Sequence, residues 1–186
     1  MHTYNDQYGS LPSAAICDKD GKPLLSWRVS LLPFLEDQGL YQQFRLDEPW
    51  DSPHNLQLLP RMPRVYAPFN GKRTPEPYTT YYQVFVGKGA AFETRKGLRL
   101  SQDFPDGTSK TFLIVEAGEP VPWTKPEDLA YAPDQPLPKV GGLFPEHFNA
   151  AFADGTVRPL RKDLRETLLR ALITPNGGEQ VSSSQL

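Results

Sequence analysis

Residues 148–158, FNAAFADGTVR, decide the fold class of this chain. Two strand-like arms flank the dipeptide Asp154-Gly155 in this stretch. An Asp-Gly connection between such arms is a strong short-range signal for a β-hairpin, because glycine supplies the positive φ that a tight turn requires. The pattern predicts a two-residue turn with Asp154-Gly155 at its tip, and it places Phe152 and Val157 on the core side.

Further strands are predicted upstream of this hairpin. Residues 79–86, TTYYQVFV, combine β-branched and aromatic side chains, a composition typical of strands. A second strand pair is expected around Asp106-Gly107, and its outgoing arm, residues 111–115, has the continuous apolar character of a central strand. Five prolines between Val121 and Lys139 predict a long surface loop.

Helices are predicted at both ends of the chain. Ser26 has the position and chemistry of an N-cap for a helix that Pro33 then divides. Near the other end, Asp163 and Glu166 have capping-box spacing. The predicted helical segments are residues 1–8, 27–35, 40–44, 55–59 and 164–173, the last with an apolar stripe that includes Leu168 and Leu172. Helices first, antiparallel strands in the middle and one helix last predict an α+β fold, with one domain over 1–178 and a flexible tail over 179–186.

Composition excludes several classes of function. The 186 residues carry a net charge of −2 with no basic block, so nucleic acid is not an expected partner. A single cysteine, Cys17, excludes an internal disulfide and a cysteine zinc cluster. The three histidines share no metal-binding spacing, and no serine lies in a nucleophile motif. We therefore expect no catalytic residues, no metal and no cofactor, with a hydrolase as the weakest alternative.

Two Asp-Gly segments are the most informative polar motifs. They are Asp106-Gly107-Thr108-Ser109 and Asp154-Gly155-Thr156. Aspartates in turns can bind Ca²⁺, but the same residues also form turns by accepting backbone N–H groups. The sequence lacks the repeated acid spacing of an EF-hand, which favours the turn-forming interpretation.

Two tryptophans are candidate partner contacts. Trp50 and Trp123 lie in polar, proline-rich segments, where an aromatic ring can bind sugars or peptides. The alternative is that each ring anchors its segment onto the core.

Four segments follow one another along the chain in a recognisable order: YNDQYGSLP at 4–12, SWRVSLLPFLE at 26–36, DGTSKT at 106–111 followed by Glu116, and the hairpin segment at 148–158. They resemble the stretches HNYHDTYGSFPP, SWRVLLLPYLEQ, DGTSNT…VE and NVLFADGSVR of a large planctomycete family, DUF1559, whose shared domain has no known function. His147 lies closer to Asp154 than the corresponding histidine of the family, so no role is transferred to it.

The resemblance implies a pilin-like head on an apolar amino-terminal helix with a prepilin-type processing signal. We expect such a helix, of about 20 residues, just upstream of His2 and preceded by a short basic leader. It implies an exported protein, periplasmic or at the cell surface, anchored in the inner membrane and assembled with other pseudopilin or secretion-system subunits. The expected function is that of a non-catalytic structural subunit. The alternative is an extracellular carbohydrate- or peptide-binding module that uses Trp50 and Trp123.

Overall fold

The computed structural model describes residues 1–69, 71–93, 95, 97–179 and 181–182. Its α-helices are α1 (His2–Tyr8), α2 (Trp27–Ser30), α3 (Gln38–Tyr41) and α4 (Glu166–Ile173), with 3₁₀ turns at Leu32–Phe34, Asn55–Arg61, Arg64–Tyr66 and Thr108–Lys110. Its strands are β1 (Ala15–Cys17), β2 (Pro23–Ser26), β3 (Thr79–Gln83), β4 (Phe85–Val86), β5 (Phe112–Pro122), β6 (Leu129–Ala130), β7 (His147–Phe152) and β8 (Val157–Arg161). The fold combines helices with antiparallel sheets, which confirms the predicted α+β class.

A four-stranded antiparallel sheet forms the centre of the carboxy-terminal two thirds. Its strand order is β3-β5-β7-β8, so β5 and β7 are the inner strands. The position of β5 agrees with its apolar composition, because an inner strand of a packed sheet has little contact with water. Outside this sheet, β1 and β2 pair antiparallel, whereas β4 and β6 pair parallel.

The two faces of the sheet differ in chemistry. Phe148, Ala150 and Phe152 alternate along β7 on one face and are buried with α4, including Leu168 and Leu172. The burial of Leu168 and Leu172 confirms the prediction that the carboxy-terminal helix packs on the sheet through these two leucines. The intervening β7 residues are half-buried on the opposite face, which we call the open face.

A second buried cluster joins the amino-terminal helices to the rest of the molecule. It contains Leu25, Trp27, Leu32 and Phe44 together with Trp123 from the far half of the sequence. Ser26 caps α2 as expected, since its Oγ accepts a hydrogen bond from the backbone N–H of Arg28. Pro33 lies in the 3₁₀ turn that follows, so the predicted division of this helix is confirmed.

The expected strand before Asp106-Gly107 is wrong. Residues 98–105 form turns, and only the outgoing segment becomes a strand. Pro105 has no N–H to donate to a ladder, and the N–H of Asp106 donates to the carbonyl of Pro175 at 3.2 Å. The backbone N–H of Asp106 therefore binds the segment after α4 and does not pair with a neighbouring strand.

The segment between Val121 and Lys139 is not simply a surface loop. Trp123 and Thr124 are fully buried. The segment also contains β6, which pairs with β4. Its apolar side chains, including Leu129 and Tyr131, pack into the core, an effect that outweighs the loop signal of the prolines.

The connection between β7 and β8 is one residue longer than expected. Phe152 N donates to Thr156 O at 2.8 Å, which leaves residues 153–155 as the loop, and Gly155 has a φ of 86°. This three-residue form shifts the register by one, so Val157 lies opposite Ala151 and is 66% exposed. Phe152 is buried as expected, but the core position of Val157 is wrong, because a one-residue shift moves a side chain to the other face.

The capping box at α4 is also wrong. The helix begins at Glu166 with Arg165 as N-cap and no side-chain cap. Asp163 is instead paired with Arg161, and Glu166 with Arg170. The predicted tail, 179–186, lies largely outside the described residues, since residues 180 and 183–186 are not among them.

Candidate functional site

Arg28, in the SWRV segment at 26–29, forms a buried ion pair with Asp128. Arg28 Nη2 lies 2.8 Å from Asp128 Oδ1, and the two side chains are 0% and 3% exposed. The same carboxylate oxygen accepts hydrogen bonds from Trp27 Nε1 at 3.1 Å and from Val84 N at 3.0 Å. Burial raises the pKa of Asp128, and the charge of Arg28 and the two further N–H donors oppose that shift.

Arg28 also connects the amino-terminal helices to the sheet. Its Nε and Nη2 donate to the carbonyl of Tyr82 at 3.0 and 2.7 Å, and its Nη1 donates to Ser26 Oγ at 2.6 Å. Tyr82 lies on the edge strand β3, so the guanidinium occupies an acceptor that would otherwise face outward. These contacts give Trp27 and Arg28 of the SWRV segment structural roles.

The two Asp-Gly motifs meet in space although they are far apart in sequence. Asp154 N donates to the carbonyl of Thr108 at 3.0 Å, and Ala153 N donates to that of Thr111 at 2.8 Å. From the amino terminus, His2 Nε2 lies 2.9 Å from the carbonyl oxygen of Ala153.

The carboxylates of these motifs accept hydrogen bonds from their surroundings. Asp106 accepts from the backbone N–H groups of Gly177 and Gly178, and Asp154 from the N–H and hydroxyl of Thr156. The bonds of Asp154 are local, as in a turn whose aspartate accepts from its own backbone, whereas Asp106 accepts from glycines 71 and 72 residues further along the chain. Within the described ranges, no cluster of three or more His, Cys, Asp or Glu side chains is placed to hold a metal ion.

The two candidate tryptophans have different environments. Trp123 is fully buried, donates its Nε1–H to the carbonyl of Leu59 at 2.9 Å and stacks on Tyr66 at 5.9 Å between ring centroids. Trp123 is therefore an anchor, and its proposed role as a surface contact is wrong. Trp50 is half-buried, with Lys125 Nζ 5.7 Å from its ring centroid, and its partner role stays a prediction.

A groove of about 670 Å³ lies on the open face of the sheet. Its floor is formed by half-buried residues of β3, β5 and β7: Tyr82, Ile114, Asn149 and Ala151. The sides carry apolar residues that are strongly exposed: Val65 (56%), Phe69 (63%) and Val157 (66%). We call this site the open-face groove.

An acidic residue lies beneath the floor of the open-face groove. Glu116 is 1% exposed, and its two carboxylate oxygens accept hydrogen bonds from Asn149, one from the backbone N–H and one from the side-chain Nδ2, each at 2.9 Å. In the part of the chain that the structure describes, Glu116 forms no ion pair. The open-face groove thus has a carboxylate under it and apolar walls around it.

Neighbouring aromatic groups report the electrostatics of this groove. Burial raises the pKa of Tyr82, the negative charge of Glu116 adds to the shift, and a hydrogen bond with the Phe69 backbone opposes it. At the rim, the ring of Phe144 stacks on His147 at 4.5 Å, and Lys72 Nζ lies 5.1 Å from the Phe144 centroid.

A second cavity, of about 520 Å³, lies among the amino-terminal helices and the β1–β2 hairpin. We call it the tyrosine pocket, because Tyr4, Tyr8 and Tyr41 line it, together with the polar side chains of Ser13, Asp18 and Ser30. Burial raises the pKa of Tyr4 and of Tyr41. Burial also raises the pKa of the Cys17 thiol in this pocket, whereas a reactive thiolate needs a lowered pKa.

Sequence reasoning did not identify the open-face groove, although signals for it were present. Glu116 directly follows the apolar run of the predicted central strand, and a charged residue that is buried there requires a specific partner. The alternation of His147 and Asn149 with Phe148, Ala150 and Phe152 marks a second, more polar face of β7. Phe69 gave no comparable signal, since its place over the sheet depends on tertiary folding.

Comparison with known proteins relates the first part of the chain to a family. No curated protein and no solved structure matches this chain. The model of a family described as "Protein of unknown function (DUF1559)" matches residues 1–68. Across the described residues, no helix has the length and apolarity needed to cross a membrane. The match covers the first two resembling segments and supports the resemblance: residues 1–68 of this chain are similar to the DUF1559 family.

Proposed function

We propose that this protein is a non-catalytic structural subunit of a pseudopilin-like surface or secretion assembly, and that the open-face groove is its contact surface for a neighbouring subunit. The observation that carries the proposal is the exposure of Val65, Phe69 and Val157 around one cavity. Contiguous exposed apolar residues with a polar rim mark interaction sites on soluble domains.

The two faces of the sheet support this assignment. One face is buried under α4 through Leu168 and Leu172, whereas the floor of the open-face groove is only half-buried. A sheet face of this kind gains stability when a further apolar surface covers it.

The anchoring part of the proposal rests on the resemblance to the DUF1559 family. We propose that the protein is exported, that an apolar amino-terminal helix holds it in the inner membrane, and that its head lies in the periplasm or at the cell surface. The helix would connect it to other pseudopilin or secretion-system subunits, and the head has the role of a pilin-like domain.

Site-specific photo-cross-linking in the native host tests the proposal. A benzoylphenylalanine at position 69 or 157 is expected to yield adducts with a pilin-like subunit. The matched control is position 56, where Leu56 is 45% exposed but does not line the groove. Equal adducts from position 56, or no adducts from 69 and 157, would contradict the role of the groove.

The tyrosine pocket favours a second candidate, a carbohydrate-binding module. Three phenol rings and two serine hydroxyls around one cavity can stack on a sugar ring and bond to its hydroxyl groups. Titration calorimetry with a panel of oligosaccharides tests this candidate, with Tyr8→Ala expected to weaken any binding and Tyr78→Ala, a change at an exposed tyrosine outside the pocket, expected to leave it unchanged.

A further inference from the structure

The side chain of Asn149 has one polar atom available to a ligand in the open-face groove. Its Nδ2 is held by Glu116, which fixes the orientation of the amide. Within the described ranges, its Oδ1 accepts no hydrogen bond from another part of the chain. The amide therefore offers an acceptor whose direction is set before any ligand binds.

The charge beneath this acceptor selects the kind of donor. Both oxygens of Glu116 accept N–H groups, which is the arrangement of an ionised carboxylate. A buried carboxylate is most stable when a cation compensates it, and none does so in the described part of the chain. A cationic donor at Asn149 Oδ1 would gain from this charge, whereas a carboxylate would be repelled.

The apolar walls of the open-face groove determine which residues of a ligand can lie beside its cationic group. Val65, Phe69 and Val157 are exposed apolar side chains on the two sides of the groove, and Ile114 and Ala151 lie on its floor. They suit apolar residues on either side of one basic residue. Lysine and arginine also have long apolar stems that can lie along such walls while the charged end reaches a polar partner.

We propose that the open-face groove binds a segment of a partner protein in which a lysine or arginine stands between apolar residues, with the cation at Asn149 Oδ1 above Glu116. The inference rests on the proposed function of this groove and specifies the chemistry of its occupant. Glu116 is a positioning residue that orients Asn149 and supplies the charge.

Three capped pentapeptides test the inference by titration of the full chain. Their sequence is Leu-Val-X-Val-Leu, acetylated and amidated, with lysine, glutamine or glutamate at X. We expect the lysine peptide to bind about tenfold more tightly than the glutamine peptide, a difference of about 1.4 kcal/mol, and the glutamate peptide to bind most weakly. The signals of the Asn149 side-chain amide in ¹⁵N NMR spectra should shift with the lysine peptide.

Two variants assign the preference to Glu116. Glu116→Gln is expected to reduce the lysine-to-glutamine preference to less than twofold. The matched control is Glu119→Gln, an exposed glutamate on the same strand that does not line the groove, and it should keep the preference. If Glu116→Gln does not fold, the three peptides on the unmodified chain still decide the matter.

Equal binding of the lysine and glutamine peptides would overturn the inference and leave the groove as a contact surface without charge preference. An unchanged preference in Glu116→Gln would overturn the role of Glu116. If no peptide binds, the inference fails, and cross-linking from positions 69 and 157 still decides the proposed function separately.

Discussion

Asp128 and Glu116 are both buried carboxylates, but their surroundings differ. Asp128 accepts hydrogen bonds from Trp27, Arg28 and Val84, and the guanidinium of Arg28 neutralises it. The carboxylate of Glu116 accepts hydrogen bonds only from Asn149 in the described part of the chain, and it lies under a cavity.

The difference separates a structural role from a binding role. The first network joins the amino-terminal helices, β3 and the segment around β6, so its loss would affect distant parts of the fold at once. The second network orients one side chain on one face of the sheet. A buried charge that is neutralised internally stabilises a fold only as a complete pair, whereas a charge beneath an open groove can interact with a ligand.

Replacement of Asp128 should give the largest effect. Asp128→Asn leaves the buried guanidinium of Arg28 without a counter-charge, and loss of one partner of a buried pair costs about 3–5 kcal/mol. Urea denaturation measures the change in free energy of unfolding. Asp134→Asn, at an exposed aspartate of the same segment, is the control and should leave stability unchanged.

Truncation of Leu168 tests the covered face of the sheet. Leu168→Ala removes a buried side chain from the cluster between α4 and the sheet and should cost about 2–5 kcal/mol in the free energy of unfolding. The same change at Leu56, which is 45% exposed, should cost much less. Similar losses for the two variants in a denaturation series would argue against burial of α4 on this face.

Gly155 tests the hairpin at which the two Asp-Gly motifs meet. Its φ is 86°, and an added Cβ would lie 3.3 Å from His2 Cε1, so Gly155→Val combines backbone strain with a close contact. We expect a loss of about 1–3 kcal/mol, visible as a lower melting temperature. Gly155→Asn should lose less, because asparagine tolerates this conformation better. A melting temperature unchanged by valine would contradict the turn geometry.

Substitution of Val157 should have the smallest effect on the free energy of unfolding and a large effect on binding. Because its side chain is 66% exposed, Val157→Asp should change the free energy of unfolding by no more than about 0.5 kcal/mol. The same variant places a hydrated charge on an apolar wall, so it should reduce partner adducts from position 69 and weaken binding of the glutamine peptide, which has no cation to pair with the new carboxylate. A large loss of stability would instead mean that Val157 belongs to the core.

The sequence was sufficient for features that depend on local chemistry. The Ser26 cap, the division at Pro33 and the burial of Leu168 and Leu172 follow from a hydroxyl, a missing N–H and a helical period. Each of these signals acts within a few residues of the element that it determines.

Features that depend on distant partners could not be predicted. The prolines around Trp123 indicated a surface loop, but burial of the indole and its bond to Leu59 outweighed that signal. At the hairpin, Asp-Gly fits turns of two or three residues, and the longer form placed Val157 on the other face. The open-face groove combines residues from α2, β3, β5, β7, β8 and the segments that carry Phe69 and Phe144, and no single segment encodes it.

We infer that Asp128 supports the fold and that Glu116 supports binding. The free energies of unfolding of Asp128→Asn and Glu116→Gln, measured under identical conditions, distinguish the two roles. We predict a loss of about 3–5 kcal/mol for the first variant. For the second we predict about 1–2 kcal/mol, because only one N–H acceptor is removed and no cation is left unpaired. A loss in Glu116→Gln as large as that in Asp128→Asn would contradict the account and make Glu116 a structural residue.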